Sequence, residues 1–271
     1  IGFVYLLLNR RLKSFIFLQC LYLSLILVVT YLSGERMAFA TYLMALCLLL
    51  VFFKDKRNVF LLSIILGLIS IYIIYKNHSF YNDFEIIKKT HYHQGLIIEK
   101  QFKCLNNQEK IFSKLINIQP RFLDIISNFS TSAYGEIYLL AYEMFKDKPI
   151  TGIGLSAFEK LCQDDKVYNS MMKNYDCASH PHNIYIQWLT ETGIIVLILF
   201  FIYLIIIVDF IVKNDGDRHF KILSLVLLLI LFWPAMSTGS LVKNWYGINV
   251  FFIVGICLCL SRVKVRHNMQ I

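Results

Sequence analysis

Charged residues are scarce in this sequence. They make up 17% of its 271 residues, whereas hydrophobic residues make up 57%. A soluble domain carries roughly 25% charged residues, so there is too little charge here to cover a water-facing surface. Glycine and proline are also few, at 12 and 4, beside 22 phenylalanines and 16 tyrosines, which argues against disorder and against a fibrous repeat. The composition excludes a soluble globular enzyme and indicates an integral membrane protein.

The formal net charge of +9 would, in another protein, suggest a polyanionic partner such as nucleic acid. Here the segment from Lys76 to Gln187 is nearly neutral, with 13 basic and 12 acidic residues. The other basic residues fall in short clusters between apolar runs, which is a pattern of membrane topology rather than of a DNA-binding face. We therefore expect no nucleic-acid partner.

Several apolar runs are as long, or nearly as long, as the 17 to 25 or so residues that cross a bilayer. They predict an all-α integral membrane protein, a polytopic helical bundle. The run Ile1–Leu8 is shorter, and because the chain begins with Ile rather than Met we interpret it as the tail of a truncated helix, with no cleavable signal peptide visible. The six predicted spans are Ser14–Ser33, Met37–Phe53, Val59–Tyr75, Trp188–Val212, Ile222–Met236 and Trp245–Ser261.

The basic residues of the short loops predict the orientation of these spans. If the spans alternate, twelve of these residues lie on one face, and only Arg36 and Lys243 lie in short turns on the other. The positive-inside rule places the twelve in the cytoplasm. Residues 1–75 and 188–271 are then predicted to be transmembrane regions, and residues 76–187 an extracytoplasmic loop, with the turns at 33–36 and 237–244 on the same side as the loop.

The loop of about 110 residues is too long to be a mere connection, and we expect it to be mainly helical. From Tyr134 to Lys146, apolar residues recur at helical spacing, and Pro149 ends that pattern. Two of the loop cysteines, Cys162 and Cys177, lie shortly before His180. In an oxidising compartment they are predicted to form a disulfide, with a pair of free thiols as the alternative.

The loop ends with His180-Pro181-His182-Asn183, directly before the next apolar run. One interpretation is that His182 and Asn183 only cap the helix that follows. Another is a metal site in which His180 and His182 join His91 and His93. Against both stands Glu191, an ionisable residue in an apolar helix two turns below His182. Such residues are costly in a membrane and usually face a functional cavity.

Four short motifs together carry a resemblance to a known family. The first motif consists of His182-Asn183 and, after nine further residues, Gly193. It resembles the signature of the O-antigen ligase and polymerase superfamily of bacterial envelope glycosyltransferases. Pro149 to Gly154, followed by Phe158, resembles that family's proline–glycine turn. Ser33-Gly34-Glu35-Arg36 resembles its TGSR-like element. Residues 232–240 and 244–245, with Phe-Trp-Pro, Ser-Thr-Gly-Ser and Asn-Trp, resemble its closing hairpin. Tyr134 stands where many members have an arginine, and the nearest loop arginine is Arg121.

The resemblance implies transfer of a glycan from undecaprenyl diphosphate to a sugar or lipid A–core acceptor, at the periplasmic face of the bacterial inner membrane, without a metal or other cofactor. His182 would act as general base, since an unperturbed histidine pKa of about 6.5 suits neutral pH. Arg36 would bind the diphosphate with its planar fork, although an interfacial arginine that merely snorkels is the alternative. The remaining candidates for substrate binding are Arg121, Asn183, Glu191, Glu35 and His180.

A polytopic transporter or flippase of lipid-linked oligosaccharide is the alternative from another functional class. Discontinuous helices and an inverted repeat would mark it, and neither is visible in the sequence. Within glycosyl transfer, ligase, polymerase and protein-glycosylating branches share these motifs. The stretch from His180 to Asn183, with Cys162 and Cys177, resembles the polymerase-like branch somewhat more.

Overall fold

The computed structural model describes residues 16–33, 36–77, 84–89, 100–104, 129, 132–173, 175–235 and 237–264. They belong to two compact units, residues 1–122 and residues 123–271. This division follows compactness, whereas the predicted division into residues 1–75, 76–187 and 188–271 follows membrane topology, which stays a prediction.

The first unit contains three apolar helices. They are α1 (Ile16–Leu32), α2 (Arg36–Phe52) and α3 (Arg57–Asn77), with a short 3₁₀ turn at Lys54–Lys56 before α3. Helix α1 buries residues at spacings of three and four, and this stripe includes Cys20, Leu23 and Leu27. A Cβ added to Gly67 of α3 would lie 2.7 Å from Leu27 Cδ2, so the missing side chain lets α1 and α3 approach closely.

Two short strands follow in the same unit. Strand β1 (Phe84–Lys89) pairs antiparallel with β2 (Lys100–Cys104), in a register that sets Phe84 opposite Cys104 and Lys89 opposite Lys100. The chain is predominantly helical, as predicted, but the long loop also contains this strand pair. Isoleucine and phenylalanine favour extended backbone, and no helical spacing of apolar residues competes with it here.

The second unit contains six helices among its described residues. The first three of them share one buried apolar cluster, and the last three share another. The helices are α4 (Ala133–Asp147), α5 (Phe158–Asp164), α6 (Lys166–Met171), α7 (Ile184–Lys213), α8 (Arg218–Leu231) and α9 (Asn244–Leu260).

Helix α4 confirms the amphipathic helix predicted near Tyr134–Lys146. The Ser132 side chain caps it by accepting from the backbone N–H of Gly135 at 3.1 Å. Its buried face, which includes Leu140 and Met144, packs against Phe158 of α5. The helix ends shortly before Pro149, whose ring disfavours helical backbone at the preceding residue.

Each predicted span coincides with an apolar helix. By length and composition, the segments Lys54–Asn77 and Ile184–Lys213 suffice to cross a membrane, and the helices at Ile16–Leu32, Met37–Phe52 and Trp245–Leu260 are apolar but shorter. Many large apolar side chains on their outer faces are exposed, an arrangement that water would oppose and lipid would favour. The predicted span Ile222–Met236 differs most from the structure. The corresponding helix, α8, begins at Arg218 and ends at Leu231, before Pro234.

Candidate functional site

The segment before α7 carries the two histidines. His180 is 8% exposed, and its Nε2 lies 3.0 Å from the carbonyl oxygen of Thr238. Because a carbonyl oxygen only accepts, Nε2 carries the ring proton, and Nδ1 accepts from the Ser179 hydroxyl at 3.0 Å. Burial lowers the pKa of His180, against the opposing effect of the bond to Thr238. His180 is therefore held neutral, with both ring nitrogens engaged.

His182 has different surroundings. Its φ of 54° lies in the left-handed region that few residues other than glycine adopt, and its carbonyl oxygen accepts from the Thr238 N–H at 2.7 Å. The half-buried ring lies with its centroid 4.3 Å from that of His180 and, edge-on, 5.9 Å from that of Tyr134. No residue in the described part of the chain forms a hydrogen bond with either ring nitrogen. Both nitrogens are thus available for another partner.

The electrostatic surroundings keep the His182 imidazole uncharged. Burial lowers its pKa most, and the neighbouring His180 and the positive charge of Lys243 lower it further. At pH 7 the ring is therefore neutral and one nitrogen has a free lone pair. Such a group can accept a proton from a hydroxyl.

Asn183 forms the N-cap of α7. Its Oδ1 accepts from the backbone N–H groups of Tyr185 and Ile186 at 3.0 and 3.2 Å, and its Nδ2 donates to the carbonyl oxygen of Pro234 at 2.7 Å. The capping interpretation is therefore correct for Asn183, whereas His182 lies one residue outside the helix. The Asn183 amide joins the helix to the segment after α8.

Helix α7 is interrupted at Gly193, and the proline–glycine turn fills the interruption. Gly193 has φ 78° and ψ −179°, so the helical hydrogen bonds fail there. The carbonyl oxygens of Thr190 and Glu191 instead accept from the N–H groups of Ile153 and Gly154 at 3.0 and 2.9 Å. The backbone N–H of Ile194 donates to the carbonyl oxygen of Pro149 at 2.9 Å. The two motifs thus complete each other's backbone hydrogen bonding.

This joint requires glycine on both sides. A Cβ on Gly193 would collide with the carbonyl group of Ile150, and a Cβ on Gly152 would collide with the backbone of Glu191. Gly152 and Gly154 also have φ of 68° and 110°. The spacing from His182 to Gly193 therefore sets the distance between the histidine and the joint.

Glu191 lies inside this joint and is 1% exposed. Its Oε2 accepts from Gln187 Nε2 at 3.0 Å, and the backbone amides of Ser156 and Phe158 also act on the carboxylate. Gln187 Nε2 also donates to Ser240 Oγ at 2.6 Å. Glu191 was predicted to face a functional cavity, and in the structure its side chain is buried in the joint. The carboxylate connects α7 with the segment around Ser156, and Gln187 connects it with Ser240.

The segment after α8, residues 232–240, is fixed along the start of α7 by a series of hydrogen bonds. The bonds of His180, His182, Asn183 and Gln187 described above belong to this series. In addition, the Tyr185 hydroxyl donates to the carbonyl oxygen of Phe232 at 2.6 Å. The Ser237 hydroxyl donates to the Tyr134 hydroxyl at 3.2 Å. Three of the four resembling motifs therefore meet along the first part of α7, between His182 and Gly193.

Cys162 and Cys177 form a disulfide, with their Cα atoms 5.8 Å apart. It connects α5 to the segment that enters His180. Helix α6, which lies between the two cysteines, is bound to α4, because the Tyr168 hydroxyl donates to Asp147 and the Lys173 N–H donates to Glu136 Oε2 at 3.1 Å. The approach to His180 is thus fixed on both sides.

The other predicted site residues lie in the first unit or outside the described residues. Arg36 begins α2. Glu35 and Arg121 lie outside the described residues, as do His91 and His93 of the alternative metal site. His180 could ligate a metal only by giving up its bond to Ser179 or Thr238.

Sequence reasoning missed two residues close to His182 as members of the site. Tyr134 was noted only as the residue in place of the family arginine, and Lys243 only as a charge in a short turn. Tyr134 stands where many family members have an arginine, and Lys243 is one of the two basic residues in the short turns opposite the predicted cytoplasmic face. These two departures were the sequence signals available. Their proximity to the histidines arises from pairing between segments distant in sequence.

A family model described as O-antigen ligase matches residues 21–201, which is more than half of the 271-residue chain. This range contains Arg36, the proline–glycine turn, His182 and Gly193. No curated protein and no solved structure matches the chain.

The joint at Gly193 predicts an unequal effect of two glycine substitutions. Gly193→Ala should destabilise the protein by about 3 kcal/mol, because its backbone conformation is essentially restricted to glycine and the added Cβ meets Ile150. Gly255→Ala is the matched control, since a Cβ there meets nothing within 4 Å. Thermal unfolding of both variants in detergent measures the difference, and equal midpoints would contradict the joint.

Proposed function

The chain belongs to the O-antigen ligase family, and from this premise we propose that it is a membrane glycosyltransferase that moves an undecaprenyl-diphosphate-linked glycan to a sugar acceptor. The family and the apolar helices point to a membrane protein with activity of the ligase or polymerase type. The observation that supports the finer proposal is the neutral, half-buried imidazole of His182, which bonds through its backbone to the segment after α8.

In this reaction His182 acts as general base. A ring nitrogen accepts the proton of the acceptor hydroxyl as that oxygen attacks the anomeric carbon of the donor sugar. The bond between that carbon and the phosphate oxygen breaks, and undecaprenyl diphosphate leaves with the electron pair. His182 fits this step because its nitrogens are not engaged by the described protein groups, and because its lowered pKa keeps it neutral.

The leaving diphosphate needs cationic partners, and we assign Arg36 to it. A guanidinium binds phosphate oxygens through two parallel hydrogen bonds, which suits a group whose negative charge increases in the transition state. Arg36 is the first residue of α2, next to an apolar helix where a lipid headgroup would lie. Glu35 and Arg121 are proposed to contact the substrates as well.

The other candidate residues are proposed to position His182 rather than to contact substrate. His180 and Asn183 use their polar atoms on the segment after α8, and Glu191 uses its carboxylate within the joint. Their burial leaves no face open to a sugar. The single free imidazole of the pair is that of His182, within the described residues.

One observation bears on the transporter alternative. A discontinuous helix, which the sequence did not reveal, is present at Gly193. In transporters, the backbone groups freed by such a break are available for substrate or ions. Here the carbonyl oxygens of Thr190 and Glu191 accept from Ile153 and Gly154. The break therefore serves an internal joint, which supports an enzyme more than a carrier.

We further propose that the site faces the periplasm, where the disulfide would form. On intact cells a membrane-impermeant maleimide should leave Cys162 and Cys177 unlabelled, and an impermeant reductant should expose both thiols, because the bond is then reached from outside. Labelling is read by mass spectrometry of the two peptides. Labelling without reductant would contradict the bond, and labelling only after lysis and reduction would contradict the orientation.

His182→Ala should lower glycan transfer by about 10² to 10⁴-fold, since general-base catalysis contributes that much and no other described side chain replaces it. The matched control is His219→Ala, because His219 is exposed and its side chain bonds to Asp217, two residues away in sequence. The assay follows transfer of a labelled lipid-linked glycan in membranes.

The same variants in the source organism separate the branches. Polymer accumulating on the lipid carrier would indicate a ligase, and a single repeat unit on the core would indicate a polymerase. Normal polysaccharide with the inserted, folded His182→Ala protein would contradict the assignment of the base.

The lowered pKa of His182 predicts the pH dependence. The base must be uncharged, and its pKa lies below the ordinary value of 6.5, so the midpoint of the acid limb of kcat/KM should lie below pH 6.5. The measurement is the acid limb of kcat/KM between about pH 4.5 and 8. An acid limb centred above 6.5 would contradict the burial and the charges described around the ring.

A further inference from the structure

We propose that Lys243 binds the diphosphate of the lipid-linked donor, as a cation of the site in addition to Arg36. This inference rests on the proposed function and deepens it, because it places a phosphate-binding residue in the same unit as His182. Lys243 lies beyond the range that the family model matches. The argument starts from the turn that precedes α9.

That turn lies directly against the histidine segment. The backbone of Thr238 bonds to His182 through its N–H at 2.7 Å and to His180 through its carbonyl oxygen at 3.0 Å. Ser240 accepts from Gln187 of α7 at 2.6 Å. The Lys243 N–H donates to the carbonyl oxygen of Ser240 at 3.1 Å, which fixes the lysine backbone one short turn from the histidines.

The Lys243 side chain is exposed and has no ion pair with a described residue. Among the other lysines of this unit, Lys146 pairs with Glu143 and Lys213 with Asp209. The charge of Lys243 acts on both His180 and His182 and lowers the pKa of each. Among the described residues, Lys243 is thus a cation without an ion pair in the turn that bonds to the histidine segment.

The surroundings of Lys243 suit an anionic lipid headgroup. Lys243 is the N-cap of α9, its side chain makes no capping bond, and no acidic residue lies in the first turn of the helix. The positive end of the helix dipole adds to the ammonium charge. Trp245, two residues on, is 66% exposed, as tryptophans at a membrane interface are. A diphosphate at this level would have its lipid tail beside the apolar face of α9.

The test uses the full-length chain in detergent and undecaprenyl diphosphate as the probe. Lys243→Ala should weaken its binding about tenfold, the effect of one charge-assisted contact at an exposed site, and Lys243→Arg should restore most of it. Lys160→Ala is the matched control, since Lys160 is an exposed lysine of α5. Undecaprenol, which lacks phosphate, should bind equally to the wild type and to the three variants Lys243→Ala, Lys243→Arg and Lys160→Ala.

A second readout separates charge from structure. Removing the Lys243 charge should raise the pKa of His182, so the acid limb of kcat/KM should move to higher pH in Lys243→Ala and not in Lys160→Ala. If the wild type binds the diphosphate and Lys243→Ala binds it equally, the role of Lys243 is wrong while the proposed function stands. If the wild type does not prefer undecaprenyl diphosphate to undecaprenol, both the role of Lys243 and the proposed function are wrong.

Discussion

The backbone joint between the proline–glycine turn and the interrupted helix α7 is the constraint on which the site depends. An apolar helix cannot leave carbonyl and N–H groups unpaired, because an unsatisfied backbone group in an apolar environment costs several kcal/mol. Gly193 breaks the helix, and the segment from Pro149 to Gly154 supplies the missing partners at about 3 Å. The loop that precedes α5 is thereby fixed to the helix that begins at Ile184, although some thirty residues separate them.

From this joint the order of the site follows step by step. Glu191 and Gln187 extend the connection to Ser240, and Asn183 extends it to Pro234, so the segment after α8 has one position along α7. That segment presents the backbone of Thr238 to both histidines. The contact with Thr238 holds His180, and His182 has a left-handed backbone conformation beside it. One ring is used for structure, and the other forms no hydrogen bond with a described residue.

The sequence predicted the helices because their signal is local. Long apolar runs require helices in a membrane, and Pro149 marks an end that the structure places within a few residues. The predicted span Ile222–Met236 ran through Pro234, whereas the helix ends at Leu231. The sequence also predicted the Cys162–Cys177 pair, and the assignment of the site stays a prediction. The sequence did not reveal the break in α7, because one glycine inside an apolar run has many harmless explanations. The burial of Glu191 was likewise invisible, since the backbone groups of Ser156 and Phe158 that act on it belong to a segment more than thirty residues away.

The nearness of a cation to the base has a consequence for the chemistry. The positive charge of Lys243 lowers the pKa of His182, which makes the ring a weaker base and by itself would slow the proposed proton abstraction. In the proposed reaction, a bound diphosphate would bring negative charge near Lys243 and offset its ammonium group. The basicity of His182 would then rise when the donor is present, because the opposite charges cancel near the ring. The same lysine that holds the leaving group would thus restrain the base until there is a donor to react with.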